Sequence, residues 1–377
     1  MKRDCMQGIT IIGGGPAGCC AARAVLANGG RATIYEEHKR IGSPVQCSGL
    51  VSKKGLDSIG IDYSKAVLNH INGAVIHHGS GTSLRVETPD TKALVIDRAE
   101  FDSMCAQEAE SEGAKIIFSR KNPLSESGSI VIGADGVFSG TARAFDFPAF
   151  RHIVSCYQVQ FSNADYEETH NVSIYLSKRL FPGFFGWVIP VNKDTVRVGL
   201  GVSFGKNPKG YFNQFVRELQ STVLEGAKQE SWLGGCIPLS PRGHCTKGRV
   251  MLVGDAAGQV KALSGGGVYF GCNCASIAGR TAVVNPDNVF AYESEWRSRF
   301  NRDLQIHRVM RWALNLLPER MTGSLMAAGR SLGAERFLVN YGDMDRPTEI
   351  ANAVRRRSES FMSKRFNILS AIFTNIF

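Results

Sequence analysis

The sequence contains no apolar run near the ~18 residues that a membrane-spanning helix requires. Its first five residues lead almost at once into an apolar stretch, which leaves no room for a signal peptide. Internal repeats and low-complexity segments are also absent from its 377 residues, a length that suits two or three domains. We therefore expect a cytoplasmic protein with a large buried core.

The ten cysteines never form a C-x-x-C pair, so zinc or iron–sulfur ligation at the usual spacing is not expected. Several fall in segments that resemble core helices, namely Cys19, Cys20, Cys105, Cys272 and Cys274. Buried thiols of this kind act as small hydrophobic side chains in a reducing compartment. The sequence thus predicts free cysteines and no metal site.

Acidic residues are fewer than basic ones: 34 Asp and Glu against 44 Lys and Arg, for a formal net charge of +10. A basic cluster near the C-terminus contains Arg355, Arg356, Arg357, Lys364 and Arg365. Such a cluster suits anionic lipid, an acidic protein, nucleic acid or solubility alone. Because no nucleic-acid motif accompanies it, we do not expect a nucleic-acid partner.

A glycine-rich turn at residues 13–18, Gly-Gly-Gly-Pro-Ala-Gly, has the pattern G-x-G-x-x-G. It follows an apolar, β-branched run at 9–12 and opens an alanine-rich helix over 16–26. A second strand over 32–35 ends at Glu36, about 20 residues beyond the turn, where an acid binds ribose hydroxyls. This order of elements predicts a dinucleotide-binding βαβ unit.

Most residues of this turn have a structural or binding role in such a unit. Gly13 permits the tight turn, Gly15 lets a pyrophosphate approach the backbone, and Gly18 lets helix and strand pack closely. The helix begins at Pro16 and Ala17, so its first amides and the positive end of its dipole face the phosphates.

A second glycine-rich turn, Val-Gly-Asp-Ala-Ala-Gly at residues 253–258, is of the kind that holds the sugar-alcohol chain of a flavin. We expect Asp255 to accept a hydrogen bond from a ribityl hydroxyl. Farther on, Gly267 and Val268 begin a helix whose backbone amides would lie near the pyrimidine edge of the flavin. The two turns together predict FAD as the cofactor.

The remaining pattern predicts an α/β fold, α+β overall: a Rossmann-like FAD-binding domain, an antiparallel-sheet substrate domain and a helical C-terminal region. Strands are expected at 73–77, 83–86, 115–118 and 129–132, with strands and hairpins over 150–204. Helices are expected from a cap at Asp97 to about residue 113, over 210–230, and over most of 288–365. The predicted domains are residues 1–64 with 95–150 and 240–287 for FAD, 65–94 with 151–239 for substrate, and 288–377 for the helical region.

Four elements occur in the order found in the para-hydroxybenzoate-hydroxylase-like FAD superfamily, which this chain resembles. They are the turn at 13–18 with Glu36, the helix start at 97–102, Gly-Ala-Asp-Gly at 133–136 and the turn at 254–258.

A narrower resemblance lies at residues 182–190, Pro-Gly-Phe-Phe-Gly-Trp-Val-Ile-Pro, followed by Gly-Leu-Gly at 199–201. This resembles the signature of geranylgeranyl reductases, Y-x-W-x-F-P followed by G-x-G. The loop at 44–49 resembles the cysteine-containing loop that these reductases place beside the flavin, and the C-terminal segment 341–347 is also similar to theirs. The resemblance spans most of the chain and is to archaeal enzymes that saturate digeranylgeranylglycerophospholipids.

The resemblance implies roles for individual residues near the flavin. Cys47 and Ser48 would contact it, and the Cys47 thiol would relay a proton or position the substrate; the alternative is a small residue in a tight loop. Arg98 would contact the flavin or its phosphates, unless it is a cation on the helix surface. Asp135 would either cap its own turn or assist FAD binding. No role is assigned to His77, His78 or His244.

The resemblance also implies an apolar tunnel for an isoprenoid chain, in which each buried CH2 contributes about 0.8 kcal/mol. The residues expected to line it are Phe184, Phe185, Trp187, Ile189 and Pro190, together with Phe181; alternatively, these aromatics only pack a sheet against the flavin domain. Phe185 stands where the signature has tyrosine, and Ile189 where it has phenylalanine.

The implied function is reduction of C=C bonds in geranylgeranyl chains by hydride transfer from reduced FAD. An aromatic monooxygenase, an electron-transfer flavoprotein acting on quinone, and a flavin-binding protein without turnover remain as alternatives. No second dinucleotide fingerprint occurs, so the electron donor stays open among NADPH, ferredoxin and a deazaflavin.

The last segment, residues 366–377, is apolar at roughly helical spacing and follows the basic cluster. It suits either an interfacial helix on anionic lipid at the inner face of the membrane or an amphipathic helix that closes the core. An interfacial helix predicts that removing residues 366–377 lowers co-sedimentation with anionic liposomes but not with neutral ones. A core-closing helix predicts equal binding by both forms, which would rule out this anchor.

Overall fold

The computed structural model describes residues 8–121, 129–350 and 352. The basic cluster and the apolar segment at 366–377 lie outside these ranges, and so does the end of the helical region predicted to reach residue 365. Within the described part of the chain, no helix combines the length and the apolarity needed to span a bilayer.

The first half of the chain consists mostly of short strands, with helices between some of them. In order they are β1 (Gly8–Ile12), α1 (Pro16–Ala27), β2 (Arg31–Tyr35), β3 (Leu50–Ser52), α2 (Lys53–Asp57), β4 (Val67–Ile71), β5 (Gly73–His78), β6 (Ser83–Glu87), β7 (Ala93–Ile96), α3 (Arg98–Ser111), β8 (Lys115–Ile117), β9 (Val131–Gly133) and α4 (Gly140–Ala144).

The second half begins with long strands and ends in helices. The elements are β10 (Ile153–Ser162), β11 (Asn171–Leu176), β12 (Gly186–Pro190), β13 (Thr195–Ser203), α5 (Pro208–Leu219), β14 (Lys228–Pro238), β15 (Thr246–Lys247), β16 (Val250–Leu252), α6 (Gly254–Ala257), α7 (Val268–Val284), α8 (Phe290–Leu316), α9 (Glu319–Ser331) and α10 (Ala334–Tyr341).

A six-stranded sheet carries the two glycine-rich turns. Its order is β15-β16-β9-β1-β2-β8, and all neighbours from β16 to β8 run parallel. Helices α1 and α7 cover it in close contact: a Cβ atom built on Gly279 would lie 2.2 Å from the carbonyl oxygen of Ala21. The carboxyl ends of β1 and β16 therefore lead into the two turns at the same edge of the sheet.

A seven-stranded sheet, ordered β14-β10-β13-β12-β11-β5-β6, is antiparallel except between β5 and β11. One face is covered by α5, whose Phe212 and Phe215 are buried against the strands. A small sheet, β3-β7-β4, accompanies the two large ones. The predicted fold class, a parallel dinucleotide-binding sheet with an antiparallel sheet and C-terminal helices, is confirmed; the domain boundaries stay a prediction.

The cap predicted at Asp97 is confirmed, because its carboxylate accepts hydrogen bonds from the amides of Ala99 and Glu100 at the start of α3. The helix predicted over 210–230 is wrong in its second half. Helix α5 ends at Leu219, and β14 already begins at Lys228, since ten residues of β10 pair with this strand. Cross-strand pairing outweighs the helix-favouring composition of this segment.

Candidate active site

The two glycine-rich turns, which lie about 240 residues apart in the sequence, touch each other. A Cβ atom built on Gly254 would lie 3.1 Å from the Cβ of Ala17. Gly13 has φ +102°, a conformation that other residues rarely adopt, and a Cβ on Gly18 would lie only 1.9 Å from the oxygen of Gly13. The tight turn and the close helix–strand packing predicted for Gly13 and Gly18 are both present.

Gly15 differs from these two glycines, because a Cβ built on it would meet no atom within 4 Å. It is the N-cap of α1, and Pro16 follows as the first helical residue. The backbone of Gly15 and Ala17 thus borders open space at the positive end of a helix, as a pyrophosphate site requires.

Glu36 supports the first turn directly. One oxygen of its carboxylate accepts a hydrogen bond from the Gly14 amide at 2.8 Å, and the other accepts one from the His38 amide at 2.9 Å. Because each carboxylate oxygen has two lone pairs, Glu36 retains acceptor capacity for a ribose hydroxyl.

Asp255 follows the second turn's first glycine and is half-buried. Its carboxylate accepts no hydrogen bond from the described residues. Burial raises its pKa, and the nearby charge of Arg98 opposes that rise. A carboxylate so placed has its acceptors free for the hydroxyl of a ligand. Gly267 lies alongside, since a Cβ built on it would be 2.9 Å from Asp255 Oδ1, and Val268 then begins α7.

Arg98 is largely buried, its side chain only 15% exposed, which excludes a cation on the helix surface. Its guanidinium donates two hydrogen bonds to Asp102, at 2.8 and 3.0 Å. Burial acts to lower the pKa of Arg98, but Asp102 and the Cys47 thiol outweigh it and raise that pKa well above its usual value. Arg98 therefore lies beside both Cys47 and Asp255.

Arg197 of β13 stabilises the loop that contains Cys47. Arg197 donates hydrogen bonds to the carbonyl oxygens of Ser48, at 2.8 Å, and Ile96, at 3.1 Å. Burial lowers the pKa of Arg197, and the Cys47 thiol opposes this. Cys47 is half-buried, and its sulfur accepts a hydrogen bond from the Gly49 amide. The thiol thus lies near two guanidinium groups, one from the start of helix α3 and one from strand β13.

Asp135 acts within its own turn. Its carboxylate accepts hydrogen bonds from the Ser139 hydroxyl and from the amide and hydroxyl of Thr141, at the start of α4. These bonds support the capping alternative for Asp135.

Four of the residues predicted to line a tunnel lie in one buried cluster: Phe184, Phe185, Trp187 and Ile189. Pro190 is also buried, whereas Phe181 belongs to a separate cluster with Phe212 and Phe215 of α5. The rings of Phe184 and Phe185 stack at 4.3 Å, and the Trp187 indole donates a hydrogen bond to Gln158 at 2.8 Å.

The glycines of the G-x-G element make room for this cluster. A Cβ on Gly199 would lie 2.5 Å from the Trp187 ring, and one on Gly201 would lie 2.6 Å from the Phe184 ring. The spacing of the signature is therefore a packing requirement, because any larger residue at these positions would displace a ring.

Sequence reasoning missed Arg311, which is 4% exposed and lies over the rings of Phe184 and Phe185. It belongs to a stripe on α8 with Asp303 and His307, spaced four residues apart and also buried. Ionisable residues at i, i+4 and i+8 of a helix share one face. The i, i+4, i+8 spacing of these ionisable residues could have indicated a buried polar stripe. It is hard to recognise because the helix contains many other polar residues.

Lys261 and Asp345 form a buried ion pair, with Nζ and Oδ1 2.7 Å apart and side chains 5% and 1% exposed. The backbone of Lys261 closes the loop that precedes α7: its amide donates to the Gly266 carbonyl, and its carbonyl accepts from the Gly265 amide. Its aliphatic chain also lies under Gly266, where a Cβ would be 2.6 Å from Cε. The C-terminal segment thus clamps the loop expected to face the flavin.

Comparison with known proteins agrees with this arrangement. The family model of the geranylgeranyl reductase catalytic domain matches residues 152–232. An uncharacterized protein of Methanocaldococcus jannaschii is 30% identical, over 91% of this chain and 93% of that one. A digeranylgeranylglycerophospholipid reductase of Methanothermobacter thermautotrophicus is 28% identical, over 81% of this chain and 86% of its own length.

Among solved structures, a geranylgeranyl bacteriochlorophyll reductase-like protein from Thermoplasma acidophilum superposes with a TM-score of 0.77 at 22% identity, covering 92% of this chain and 95% of that one. The fold is that of the FAD-dependent monooxygenase-type flavoproteins. Within that class, the chain belongs to the geranylgeranyl reductase family.

We predict that the Lys261–Asp345 pair positions the flavin-facing loop. The double variant Lys261→Met/Asp345→Asn leaves no buried charge unpaired, so it should fold. We expect it to raise the Kd for FAD by about tenfold, as for one lost hydrogen bond to a charged group, measured by fluorescence on reconstitution.

The control is Lys54→Met, which breaks the 2.8 Å pair with Asp343 in the same C-terminal segment, where Lys54 is exposed. An FAD Kd equal in the double variant and in Lys54→Met would contradict the prediction.

Proposed function

We propose that this protein is an FAD-dependent reductase that saturates C=C bonds of isoprenoid chains, geranylgeranyl chains in particular, in archaeal-type membrane-lipid precursors. The observation that carries the proposal is the position of the signature cluster against the expected flavin loop. A Cβ on Gly265 would lie 3.3 Å from Phe184 Cζ. Relatives named digeranylgeranylglycerophospholipid reductases, aligned over most of the chain, support the same substrate class.

The residues at the two turns fit FAD. Open space over Gly15, the start of α1, the acceptors of Glu36 and the free carboxylate of Asp255 would hold its phosphates, ribose and ribityl chain. Arg98, largely buried beside Asp102, would contact the flavin or its phosphates. When bound and reduced, the flavin supplies the hydride that one alkene carbon receives.

The other alkene carbon needs a proton, and we assign that proton to the Cys47 thiol. The S–H bond breaks as the new C–H bond forms, and the sulfur keeps the electron pair. The guanidinium groups of Arg98 and Arg197 both interact electrostatically with this sulfur. Because Cys47 is half-exposed, a proton from solvent restores the thiol.

The buried aromatic cluster would provide an apolar wall for the isoprenoid chain. Phe185 and Ile189 keep the site apolar although they depart from the signature, and both are buried. An apolar surface suits an isoprenoid chain better than the polar ring of a monooxygenase substrate, and family membership likewise favours the reductase over a monooxygenase or a quinone-reducing flavoprotein.

The electron donor and the cellular location are further parts of the proposal. NADPH, ferredoxin and a deazaflavin all remain candidate donors. We place the protein in the cytoplasm, in peripheral contact with anionic lipid at the inner face of the membrane, because its substrate would reside there and its net charge is +10.

The reaction is tested without the natural donor. Under anaerobic conditions the holoprotein is reduced with dithionite and mixed with digeranylgeranylglycerol lipids. We expect the flavin to reoxidise and the lipid to gain two hydrogens per double bond, measured by absorbance and mass spectrometry. The saturated lipid serves as control, and absence of reoxidation with every prenyl lipid would sink the proposed function.

The proton assignment is tested by Cys47→Ala, which should retain FAD but slow alkene reduction by about a hundredfold, the usual contribution of a general acid. Cys236→Ala is the matched control, because Cys236 is also half-buried and lies beside Ser155 of the same sheet, on the side away from the cluster. Single-turnover rates compare the two. Unchanged turnover in Cys47→Ala would remove this thiol from the mechanism.

A further inference from the structure

A cavity of about 190 Å³ opens beside the signature loop, where α8 and α9 meet the ends of β5 and β11. Since water takes up about 30 Å³ per molecule in the liquid, this volume accommodates a phosphate group with its oxygens. Its wall includes Phe184, the aromatic residue that also contacts Gly265 of the expected flavin loop. Phe184 therefore lies beside both the cavity and that loop.

Arg311 lines this cavity, and no carboxylate among the described residues pairs with it. The guanidinium donates hydrogen bonds to the carbonyl oxygens of Ala262, Leu263 and Phe184. A guanidinium has five N–H donors, so these three bonds leave two N–H groups for another acceptor. Burial alone lowers the pKa of Arg311 to about 10, and it stays charged at pH 7. A buried cation without an opposite charge is costly, and an anion in the cavity would offset that cost.

The cavity has further charged and polar groups in its lining, of which the hydroxyls of Ser177 and Thr322 and the amide of Asn315 can both donate and accept. Lys178 is exposed at its rim, with Nζ 2.7 Å from the Asn315 carbonyl oxygen, and His78 is buried against Ser80. Glu319 is the acidic residue of the lining. With Arg311 and Lys178 against Glu319, the lining carries a net positive charge.

Arg242 provides an internal comparison. It too is buried and donates to backbone carbonyls, and it lies 3.9 Å from the centre of the Phe150 ring. However, the Asp135 carboxylate acts on Arg242 and opposes the lowering of its pKa by burial, whereas no acidic group has this effect on Arg311. Arg311 thus differs from Arg242 in lacking a counter-charge within the described chain, and it borders a cavity.

We propose that the Arg311 cavity binds the phosphate of the lipid substrate, with the isoprenoid chain passing Phe184 toward the flavin loop. This inference rests on the proposed function and adds the end of the substrate that the enzyme recognises. Phosphate oxygens would accept from the two remaining N–H groups of Arg311 and from Lys178, as charge-assisted hydrogen bonds. The same chemistry would accept free phosphate, and the test separates the two sources.

The test measures binding and does not use turnover. Geranylgeranyl phosphate and geranylgeraniol, which differ only in the phosphate, are titrated into the oxidised holoprotein in detergent by calorimetry. We expect the wild-type protein to prefer the phosphate by about tenfold or more, as for a hydrogen bond between charged groups. Arg311→Gln should abolish this preference while leaving the affinity for the alcohol.

Two variants at the rim keep the test valid if Arg311→Gln does not fold. Lys178→Met should weaken binding of the phosphate by about threefold, and Glu319→Gln should strengthen it by about threefold, as for partly screened charges. Neither should alter binding of the alcohol. The control is Arg308→Met, since Arg308 is exposed on the same helix and outside the cavity.

Equal affinity of the wild-type protein for the phosphate and the alcohol would overturn the inference. So would shifts in the same direction for Lys178→Met and Glu319→Gln, or a preference unchanged in a folded Arg311→Gln. Tighter binding of inorganic phosphate than of geranylgeranyl phosphate would assign the cavity to free phosphate instead. Failure to reduce any prenyl lipid would count against the proposed function. The binding test does not depend on turnover, so its result would still decide whether the cavity binds phosphate.

Discussion

The close contact of helix α1 with the chain from 254 to 279 is the constraint on which the rest of the site depends. At Gly279 an added Cβ would lie 2.2 Å from the carbonyl oxygen of Ala21, so no residue but glycine fits there without movement of the backbone. At Gly254 an added Cβ would lie 3.1 Å from the Cβ of Ala17. This contact brings the second glycine-rich turn against the first. Asp255, next to Gly254, and the start of α7 then lie close to the first turn, an arrangement that suits a dinucleotide.

Two buried ion pairs lie beside the segments that are expected to surround the flavin. Arg98 is neutralised by Asp102 and Lys261 by Asp345, and each pair lies beside a segment expected to face the flavin. Such pairs contribute little net stability, because desolvation offsets their attraction, but they favour one arrangement of the segments they join. Arg311 has no acidic partner in the described chain, and so its charge is available to a ligand.

The spacing of the signature residues follows from side-chain packing around Phe184 and Trp187. Gly199 and Gly201 provide the space that the rings of Trp187 and Phe184 fill, which explains why glycines recur at this distance from the aromatic run. Phe185 lacks the phenol of the usual tyrosine, yet it stacks on Phe184 and stays buried. The departures therefore preserve an apolar surface and leave proton transfer to a group outside the cluster.

Local patterns in the sequence determined the nucleotide-binding unit, the cap at Asp97 and the fold class, because a strand, a glycine turn and a helix in succession leave few alternatives. They did not determine β14, where pairing with β10 overrides local propensity, nor the meeting of Arg98, Arg197 and Cys47 from three separate segments. The ion pair of Lys261 with Asp345 and the isolation of Arg311 were likewise decided by tertiary structure. The physical reason is that burial and charge pairing depend on which distant segments pack together, whereas turns and caps depend on neighbouring residues alone.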